Sequence, residues 1–362
     1  MKIIKQSLIS RITDSFFNYQ TWPSACVDEN GTVYVVCSGF RMGHVCPFGK
    51  TVLYKSFDGG ETYSLPMVIN DHFLDDRDAG IVYLGSGEFL VTRCSHPASA
   101  YETELREWLI SDSGDAGAGM LKHYKYIPAE ERRGGSFYRI LTDYCNKAQE
   151  EKRIPVHCPH GPIILRSGRI FYLGKELFTD TPDRKDKFSV YISDDRGISF
   201  TKYSDCPIPA GYSSDQFHEA HCAELPSGRI LAFFRTHLIE DDSYFTIMKT
   251  YSDDGGKTWS EWEKTGICGS PPHLCRLSDG RCILTYGRRV SPHGIYGREV
   301  SPDGDISENE FLLASCSEID SDLGYPATVQ LPDASLFTAY YARYEKDPFC
   351  SLFYVKWSVD QR

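Results

Sequence analysis

The stretch TYSDDGGKTW, residues 250–259, carries polar residues at a fixed spacing, S-x-D-x-G-x-T-W. The same spacing returns in KSFDGGETYS at 55–64 and in ISDDRGISFT at 192–201, with Tyr or Phe in place of Trp. In tight turns, Ser and Asp side chains hydrogen-bond to nearby backbone groups, and glycine supplies a backbone angle that a side chain would strain. Because one active site needs only one such loop, three copies indicate a structural turn. We expect its aromatic residue to pack between sheets.

A second repeat consists of a short turn with a small residue, followed by an apolar strand. It occurs six times, as ENGTVYVV, GSGEFLV, RSGRIFYL, PSGRILAFF, SDGRCILTY and PDASLFTAYY, with third residues Gly31, Gly87, Gly168, Gly228, Gly280 and Ala334. Copies about 55 residues apart are typical of a β-propeller, in which each blade is one four-stranded sheet. We therefore predict an all-β chain that forms a single domain over 1–362, a six-bladed β-propeller with four-stranded antiparallel blades.

One step of this repeat is long, because 81 residues separate Gly87 from Gly168 whereas the other steps span 52 to 60. An insertion at about 113–153 accounts for the difference, and we expect the few helices of the chain to lie mainly there. Degraded copies of the S-x-D turn are predicted at Ser111, Ser301 and Ser358.

Composition and charge argue against several classes of function. The 362 residues include 39 basic and 50 acidic side chains, a net charge of −11, with no basic run, so nucleic acid and anionic membranes are poor partners. The first residues, MKIIKQSLISRITDSFF, lack the apolar core of a secretory signal, and no stretch reaches membrane-spanning length. Thirteen scattered cysteines without a C-x-x-C pair fit reduced thiols, so we expect a cytoplasmic protein.

The strand before each turn begins in a polar segment. The innermost strands of a propeller start at one face around the central axis, where a ligand site is favoured. The six starts here are TWPSA, RDAGI, CPHGP, HEAHC, SPPHL and GYPAT. Asp78, Glu219 and Tyr325 take the equivalent position in blades 2, 4 and 6, with Arg77 one residue earlier and His160 one residue later in their own blades. Titratable side chains on one ring predict a polar pocket on the axis.

The three S-x-D turns resemble the Asp-box repeats of the sialidase (neuraminidase) superfamily, and FHEAHCAELPSGRILAFFR at 217–235 is similar to a catalytic strand pair of that family. GIYGREVS and DLGYPATVQLPDASL supply a further arginine and a tyrosine of the family pattern. The resemblance implies an exo-acting glycoside hydrolase like an exo-α-sialidase, in which Glu219 activates Tyr325 as the nucleophile of a retaining mechanism. Arg235 and Arg298 would then bind a terminal acidic sugar.

Two positions depart from the family pattern. Thr21 of TWP stands where the family has the first arginine of its carboxylate-binding triad. The loop FRMGHVCPFG, where the family has its acid/base aspartate, offers Arg41 and His44 instead. We therefore predict that Asp78 or His44 protonates the leaving group.

The predicted partner is a carbohydrate, a terminal acidic sugar of an oligosaccharide. Arg41 and Arg77 are predicted to help hold its acidic group, and His160 to line the pocket. Trp22, on the same ring, is predicted to stack on a sugar face, as aromatic surfaces commonly do.

Other functions stay open on the sequence. The pocket would also suit an inverting glycosidase or a polysaccharide lyase, in which His and Tyr move protons at a uronic acid. A glycan-binding propeller without turnover is a further alternative. A metal site would need a recognisable ligand spacing, which the candidate histidines lack, so no metal or cofactor is expected. Those candidates are His157, His160, His218, His221 and His273.

Overall fold

In the computed structural model, the chain forms six antiparallel sheets around a central axis, each with a path of four strands. The structure describes residues 1–177, 187–238, 245–319, 321–344 and 347–359. The innermost strands pack side by side around the axis. The prediction of an all-β, six-bladed β-propeller with four-stranded antiparallel blades is confirmed.

Strand β1 (Lys2–Ser10) comes first in the chain but belongs to the last blade. Blade 1 contains β2 (Tyr19–Val27), β3 (Val33–Arg41), β4 (Lys50–Ser56) and β5 (Met67–Asn70). Blade 2 contains β6 (Arg77–Gly85), β7 (Glu88–Ser95), β8 (Gly135–Thr142), the short β9 (Lys147–Ala148) and β10 (Lys152–Ile154). In blade 3 the innermost strand is divided into β11 (Val156–His157) and β12 (Ile163–Ile164), followed by β13 (Ile170–Glu176), β14 (Phe188–Ser193) and β15 (Thr201–Cys206).

The second half of the chain repeats the same order. Blade 4 contains β16 (Phe217–Glu224), β17 (Ile230–Thr236), β18 (Thr246–Ser252) and β19 (Glu263–Cys268). Blade 5 contains β20 (Ser270–Arg276), β21 (Cys282–Arg288), β22 (Gly294–Val300) and β23 (Ile306–Ser315). Blade 6 contains β24 (Gly324–Gln330), β25 (Leu336–Tyr344) and β26 (Asp347–Ser358), and β1 pairs antiparallel with β26 to close the ring.

The six predicted turns lie in six different blades, each between the innermost strand and the second strand. The five glycines at their third positions have φ between +73° and +92°. Ala334 takes the same left-handed conformation in blade 6, with φ of 64°. This conformation strains most side chains, which explains why glycine fills the position in the other blades.

The three Asp-box copies join the third and fourth strands of blades 1, 3 and 4. In the copy at 252–259, the Ser252 hydroxyl accepts a hydrogen bond from the Gly256 amide at 2.8 Å. The Asp254 carboxylate accepts the Thr258 amide at 2.9 Å and the Thr258 hydroxyl at 2.7 Å. Equivalent bonds recur around Asp58 and Asp195. The motif is therefore a turn that satisfies its own backbone.

The aromatic residue of each copy packs against a neighbouring blade. The Tyr63 ring lies 5.9 Å from that of Tyr354 in blade 6, and the Phe200 ring lies 4.9 Å from that of Tyr138 in blade 2. Trp259 packs against the buried cluster shared by blades 3 and 4. The expectation that these aromatic residues pack between sheets is confirmed, and their contacts help to hold neighbouring blades together.

Two helices, α1 (Ala98–Glu102) and α2 (Arg106–Tyr124), lie between β7 and β8, and short 3-10 turns occur at Glu131–Arg133 and Ser214–Gln216. The additional residues of the long step therefore occupy 96–134, earlier than the predicted 113–153, because 135–142 and 152–154 are strands of blade 2. Neither helix among the described residues is both long and apolar enough to cross a membrane.

The Asp-box copy predicted at Ser111 is wrong, because this residue lies inside α2. The segment SDSGDAGAG has the composition of a turn, and the helical angles do break at Gly114. Leu109 and Tyr124 are nevertheless buried with Val45 in a cluster beneath the helices. Tertiary packing of this kind supplies most helix stability in proteins and overrides local preference.

The other two degraded copies have different outcomes. The Ser301 hydroxyl accepts the amides of Asp303 at 3.3 Å and Asp305 at 3.1 Å between β22 and β23, so this turn is confirmed. The copy at Ser358 continues into residues outside the described ranges.

Candidate active site

Irregular pairing at the start of the innermost strands sets the site residues apart from the regular sheet. In β2, β6 and β24 the register with the next strand shifts around Trp22, Asp78 and Tyr325. These residues have φ of 51°, 55° and 47°. A side chain in this left-handed conformation costs about 1–3 kcal/mol and persists only where its surroundings enforce it. Glu219 lies in a similar break in β16. Such bulges re-aim side chains and are common beside active sites.

The structure brings Tyr325, Glu219 and Arg235 into direct contact. The Tyr325 hydroxyl donates to Glu219 Oε1 at 2.6 Å. Arg235 Nη1 donates to both carboxylate oxygens of Glu219, at 3.0 and 3.1 Å, and to the Tyr325 hydroxyl at 3.2 Å. Tyr325 is 6% exposed. A buried phenol thus forms one hydrogen-bonded group with a carboxylate and a guanidinium that are both partly buried.

The two acidic groups of this cluster are shifted in opposite directions. Burial acts to raise the pKa of Glu219, but the charge of Arg235, with His218 and the Tyr325 hydrogen bond, holds it at about 2. Burial and the adjacent Glu219 carboxylate raise the pKa of the Tyr325 hydroxyl well above 10. At neutral pH, Glu219 is therefore ionised and Tyr325 keeps its proton.

Asp78 and Glu219 line one cavity of about 250 Å³ at this end of the axis. Arg77 Nε donates to Asp78 Oδ2 at 3.1 Å. Burial acts to raise the pKa of Asp78, but the charge of Arg77 leaves it below its ordinary value. The cavity is also lined by Cys94, His96, His157, Lys175 and His218.

Trp22 and Arg41 lie beneath the pocket surface. Arg41 is fully buried and forms a two-pronged ion pair with the Asp75 carboxylate, one arm of it at 2.8 Å. Its guanidinium carbon is 4.8 Å from the centre of the Trp22 ring, and that of Arg77 is 4.3 Å away. Because Trp22 is only 1% exposed, this geometry does not favour the predicted stacking on a sugar, and both residues support the pocket from below.

His44 lies between Trp22 and the inserted helix α2, in ring contact with both. Its ring is 5.0 Å from that of Trp22 and 5.9 Å from that of Trp108 on α2, edge to face in both cases. Its Nδ1 is 3.3 Å from the Tyr19 hydroxyl, which donates to Asp322. Burial lowers the pKa of His44 to about 4, so its ring is neutral at pH 7. Trp108, which is 59% exposed, was not predicted from the sequence.

A different arginine from the predicted one lies beside Tyr325. Arg298 donates to the Tyr286 hydroxyl at 3.3 Å and to the Ser307 carbonyl at 3.4 Å, within blade 5. Arg289, which directly follows β21, has its guanidinium carbon 5.6 Å from the centre of the Tyr325 ring. The structure therefore places Arg289 next to Tyr325, whereas the contacts of Arg298 lie within blade 5.

His160 belongs to a histidine cluster on the axis. Its ring is 4.8 Å from that of His273 and 6.2 Å from that of Tyr325. His221 and His273 stack at 4.4 Å, and their Nδ1 atoms accept backbone amides at 2.9 and 3.3 Å. Each of these two rings thus uses one nitrogen as the hydrogen-bond acceptor of a backbone amide. His157, by contrast, lies beside Asp78 and Cys94.

Comparison with known proteins agrees with the propeller fold. The sequence profile of the BNR/Asp-box repeat matches residues 250–261. The NanB sialidase of Streptococcus pneumoniae superposes with a TM-score of 0.68 at 15% identity, over 98% of this chain and 70% of that one. The chain has the sialidase fold. The intramolecular trans-sialidase of Ruminococcus gnavus, solved with oseltamivir carboxylate, gives a TM-score of 0.65 at 14% identity, over 99% and 98% of the two chains.

A protein of unknown function from Dyadobacter fermentans also has this fold, with a TM-score of 0.78 at 23% identity over 99% of both chains. No curated protein sequence matches the chain.

Within this sialidase fold, the second strand of each blade contributes residues that the sequence repeat could have revealed. Seven residues beyond the third residue of each turn, the chain has reached the second strand of the blade. The residue at this position lies opposite or next to the start of the innermost strand. In four blades this position holds Cys94, Lys175, Arg235 and Tyr341. Only Arg235 was predicted, from the family resemblance. Cys94 and Lys175 line the cavity beside Asp78, so the same period marks a second ring of pocket residues.

Proposed function

We propose that this protein is an exo-acting glycosidase that removes a terminal acidic sugar by a retaining mechanism, with Tyr325 as nucleophile and Glu219 as its base. The observation that carries the proposal is the 2.6 Å hydrogen bond from the Tyr325 hydroxyl to Glu219. A neutral phenol paired with a base can attack an anomeric carbon without presenting a full negative charge to an anionic sugar.

Two guanidinium groups beside Tyr325 support an acidic substrate. Within the described part of the chain, the buried Nε atoms of Arg235 and Arg289 have no hydrogen-bond acceptor. Guanidinium donors match a carboxylate well, since both are planar and can form paired hydrogen bonds. A sugar carboxylate between these arginines would bring its anomeric carbon close to the Tyr325 oxygen. The sialidase names of the structural neighbours favour sialic acid or a related sugar.

Substrate binding would also improve Glu219 as a base. Arg235 is the strongest favourable partner of the Glu219 carboxylate and holds its pKa at about 2. A substrate carboxylate on Arg235 would share that positive charge, so the pKa of Glu219 would rise. Glu219 would then accept the phenol proton while the Tyr325 oxygen forms a bond to the anomeric carbon. The leaving oxygen takes a proton from Asp78 or His44. Because the pKa of Asp78 lies below its ordinary value and that of His44 is about 4, either group carries this proton mainly at acidic pH. Water later cleaves the bond between sugar and tyrosine.

The test is a panel of aryl glycosides of sialic acid, related ulosonic acids and uronic acids. We expect release of the aryl alcohol from an acidic glycoside and a sugar adduct on Tyr325 detectable by mass spectrometry. Tyr325→Phe keeps the ring and its packing, and we expect turnover to fall about a thousandfold or more. The circular dichroism and melting temperature of the variant serve as the control for folding.

Other outcomes would replace this mechanism. An unsaturated product would indicate a lyase, and inversion at the anomeric carbon would indicate direct attack by water. Tight binding without any product would indicate a glycan-binding protein. Undiminished turnover in Tyr325→Phe would exclude tyrosine as the nucleophile.

A further inference from the structure

Three metal-binding side chains meet on the wall of the cavity. Asp78 on β6, Cys94 on β7 and His157 on β11 each offer one donor atom, and these atoms lie within 4.8 Å of one another. Across the described residues, this is the one group of three or more such side chains close enough to share an ion. In a tetrahedral zinc site, donor atoms are about 3.4–3.7 Å apart, given the usual bond lengths. Small side-chain movements would therefore bring the three donors into coordination.

Two of these side chains have polar atoms that the described chain does not satisfy. His157 is 5% exposed, and neither of its ring nitrogens has a hydrogen-bond partner among the described residues. Asp78 Oδ1 also has no hydrogen-bond partner among the described residues, whereas Oδ2 accepts a hydrogen bond from Arg77 at 3.1 Å. Buried polar atoms are nearly always paired, so unpaired ones that point to one place call for a ligand. Oδ1 is a donor atom that Arg77 does not use, whereas Oδ2 also accepts from the Cys94 thiol at 3.7 Å.

We propose that Asp78, Cys94 and His157 bind a divalent transition metal ion of the zinc class. A thiolate with an imidazole and a carboxylate is a donor set that suits zinc and argues against calcium or magnesium, which prefer oxygen ligands. Coordination requires the thiol to lose its proton to solvent. At this cavity the negative charges of Asp78, the Cys94 thiolate and Glu219 match the positive charges of Arg77, Lys175 and Arg235, so the bonds to the three donor atoms, and not a net negative charge, would hold the ion.

Three protein ligands leave a fourth position, which in zinc sites of this kind is taken by water or substrate. That position faces the cavity shared with Glu219. A bound ion would hold the Asp78 carboxylate in the ionised form, so a metal-loaded protein could not use Asp78 as an acid. The ion site would therefore make any acid role of Asp78 depend on metal supply.

The experiment uses the full chain, stripped of metal with a chelator and titrated with Co²⁺ as a spectroscopic substitute for zinc. We expect one equivalent of Co²⁺ to produce the near-ultraviolet charge-transfer band of a cobalt–thiolate bond, and Zn²⁺ to abolish it by displacement. Cys94→Ser should lose the band, and His157→Gln should weaken binding at least about 100-fold. Cys282→Ser is the matched control, because this cysteine is also buried on the second strand of a blade, and it should keep the band.

The wild-type titration decides first and does not depend on whether a variant folds. Absence of the band in the wild-type protein would overturn the proposal. So would a band that survives in Cys94→Ser or disappears in Cys282→Ser. None of these measurements depends on glycosidase activity, so failure of the metal site and failure of the proposed function can be told apart.

Discussion

Replacing Glu219 with glutamine keeps the size of the side chain and removes its charge, and should change how protein stability depends on pH. In the folded protein, burial acts to raise the pKa of Glu219, but Arg235, His218 and Tyr325 together hold it at about 2, against an ordinary 4.5. A carboxyl group whose pKa falls on folding stabilises the folded state above its unfolded pKa. This stabilisation is lost as the pH falls toward the folded pKa.

The expected magnitude follows from that shift. A fall of about 2.5 pKa units, at about 1.4 kcal/mol per unit, corresponds to about 3 kcal/mol of unfolding free energy at neutral pH. By about pH 3 some 2 kcal/mol of this is lost, because the unfolded chain binds a proton there that the folded chain does not. Glu219→Gln lacks the titrating group. The difference in unfolding free energy between the wild type and the variant should therefore shrink by about 2 kcal/mol between about pH 6 and pH 3.

Urea unfolding followed by tryptophan fluorescence at a series of pH values measures both proteins. Tyr325→Phe is the matched control, because it removes one hydrogen bond to Glu219 and leaves Arg235, the stronger favourable partner, in place. Its pH dependence should stay close to that of the wild type. If the difference in unfolding free energy between the wild type and Glu219→Gln did not change with pH, this would refute the inference that Glu219 is ionised and held so by Arg235.

Three further predictions concern the scaffold and the sugar carboxylate. Ser252→Ala removes a buried hydroxyl that is hydrogen-bonded within the Asp-box turn, and should lower the unfolding free energy by about 1–2 kcal/mol in urea titrations. Turnover per folded molecule should not change, and a selective loss of turnover would show that the turn is catalytic. Gly256→Ala should destabilise by about 1–3 kcal/mol more than Gly255→Ala. Both glycines have positive φ, but an added Cβ at 256 would meet a phenylalanine ring at 2.5 Å, whereas among the described atoms nothing lies within 4 Å at 255. Equal destabilisation would contradict this packing. Arg289→Gln should lower kcat/KM on an acidic glycoside by about tenfold or more, whereas Arg298→Gln should stay near the wild type. The opposite order would return the carboxylate-binding role to Arg298.

The repeat made the fold and the central pair of the site predictable from the sequence. The distance from each strand start to its turn is constant, so residues at one position of the repeat reach the same height on the axis. This placed Glu219 and Tyr325 on one ring, and the structure joins them at 2.6 Å. The Asp-box turns were predictable for the same reason, because all their hydrogen bonds are local.

Contacts between distant parts of the chain could not be predicted in this way. Arg41 looked available for a sugar, but Asp75, which lies 34 residues further on, holds it in the interior. Arg289 lies just beyond the end of its strand, and the family resemblance of GIYGREVS pointed to Arg298 instead. The helix α2 has the composition of a turn, and only its packing against blade 1 makes it helical.

Because β1 pairs with β26, the last blade cannot be completed until both strands have been synthesised. The ribosome delivers residues 2–10 long before their partner strand, which ends at Ser358. Until β26 has been made, β1 has an unpaired edge and apolar side chains such as Ile3, Ile4 and Leu8, a surface prone to intermolecular pairing. The ring can therefore close only after β26 has been synthesised. This makes the nascent segment 2–10 a natural target for chaperones, and a circular permutant with its seam between two blades would not need that protection at this strand.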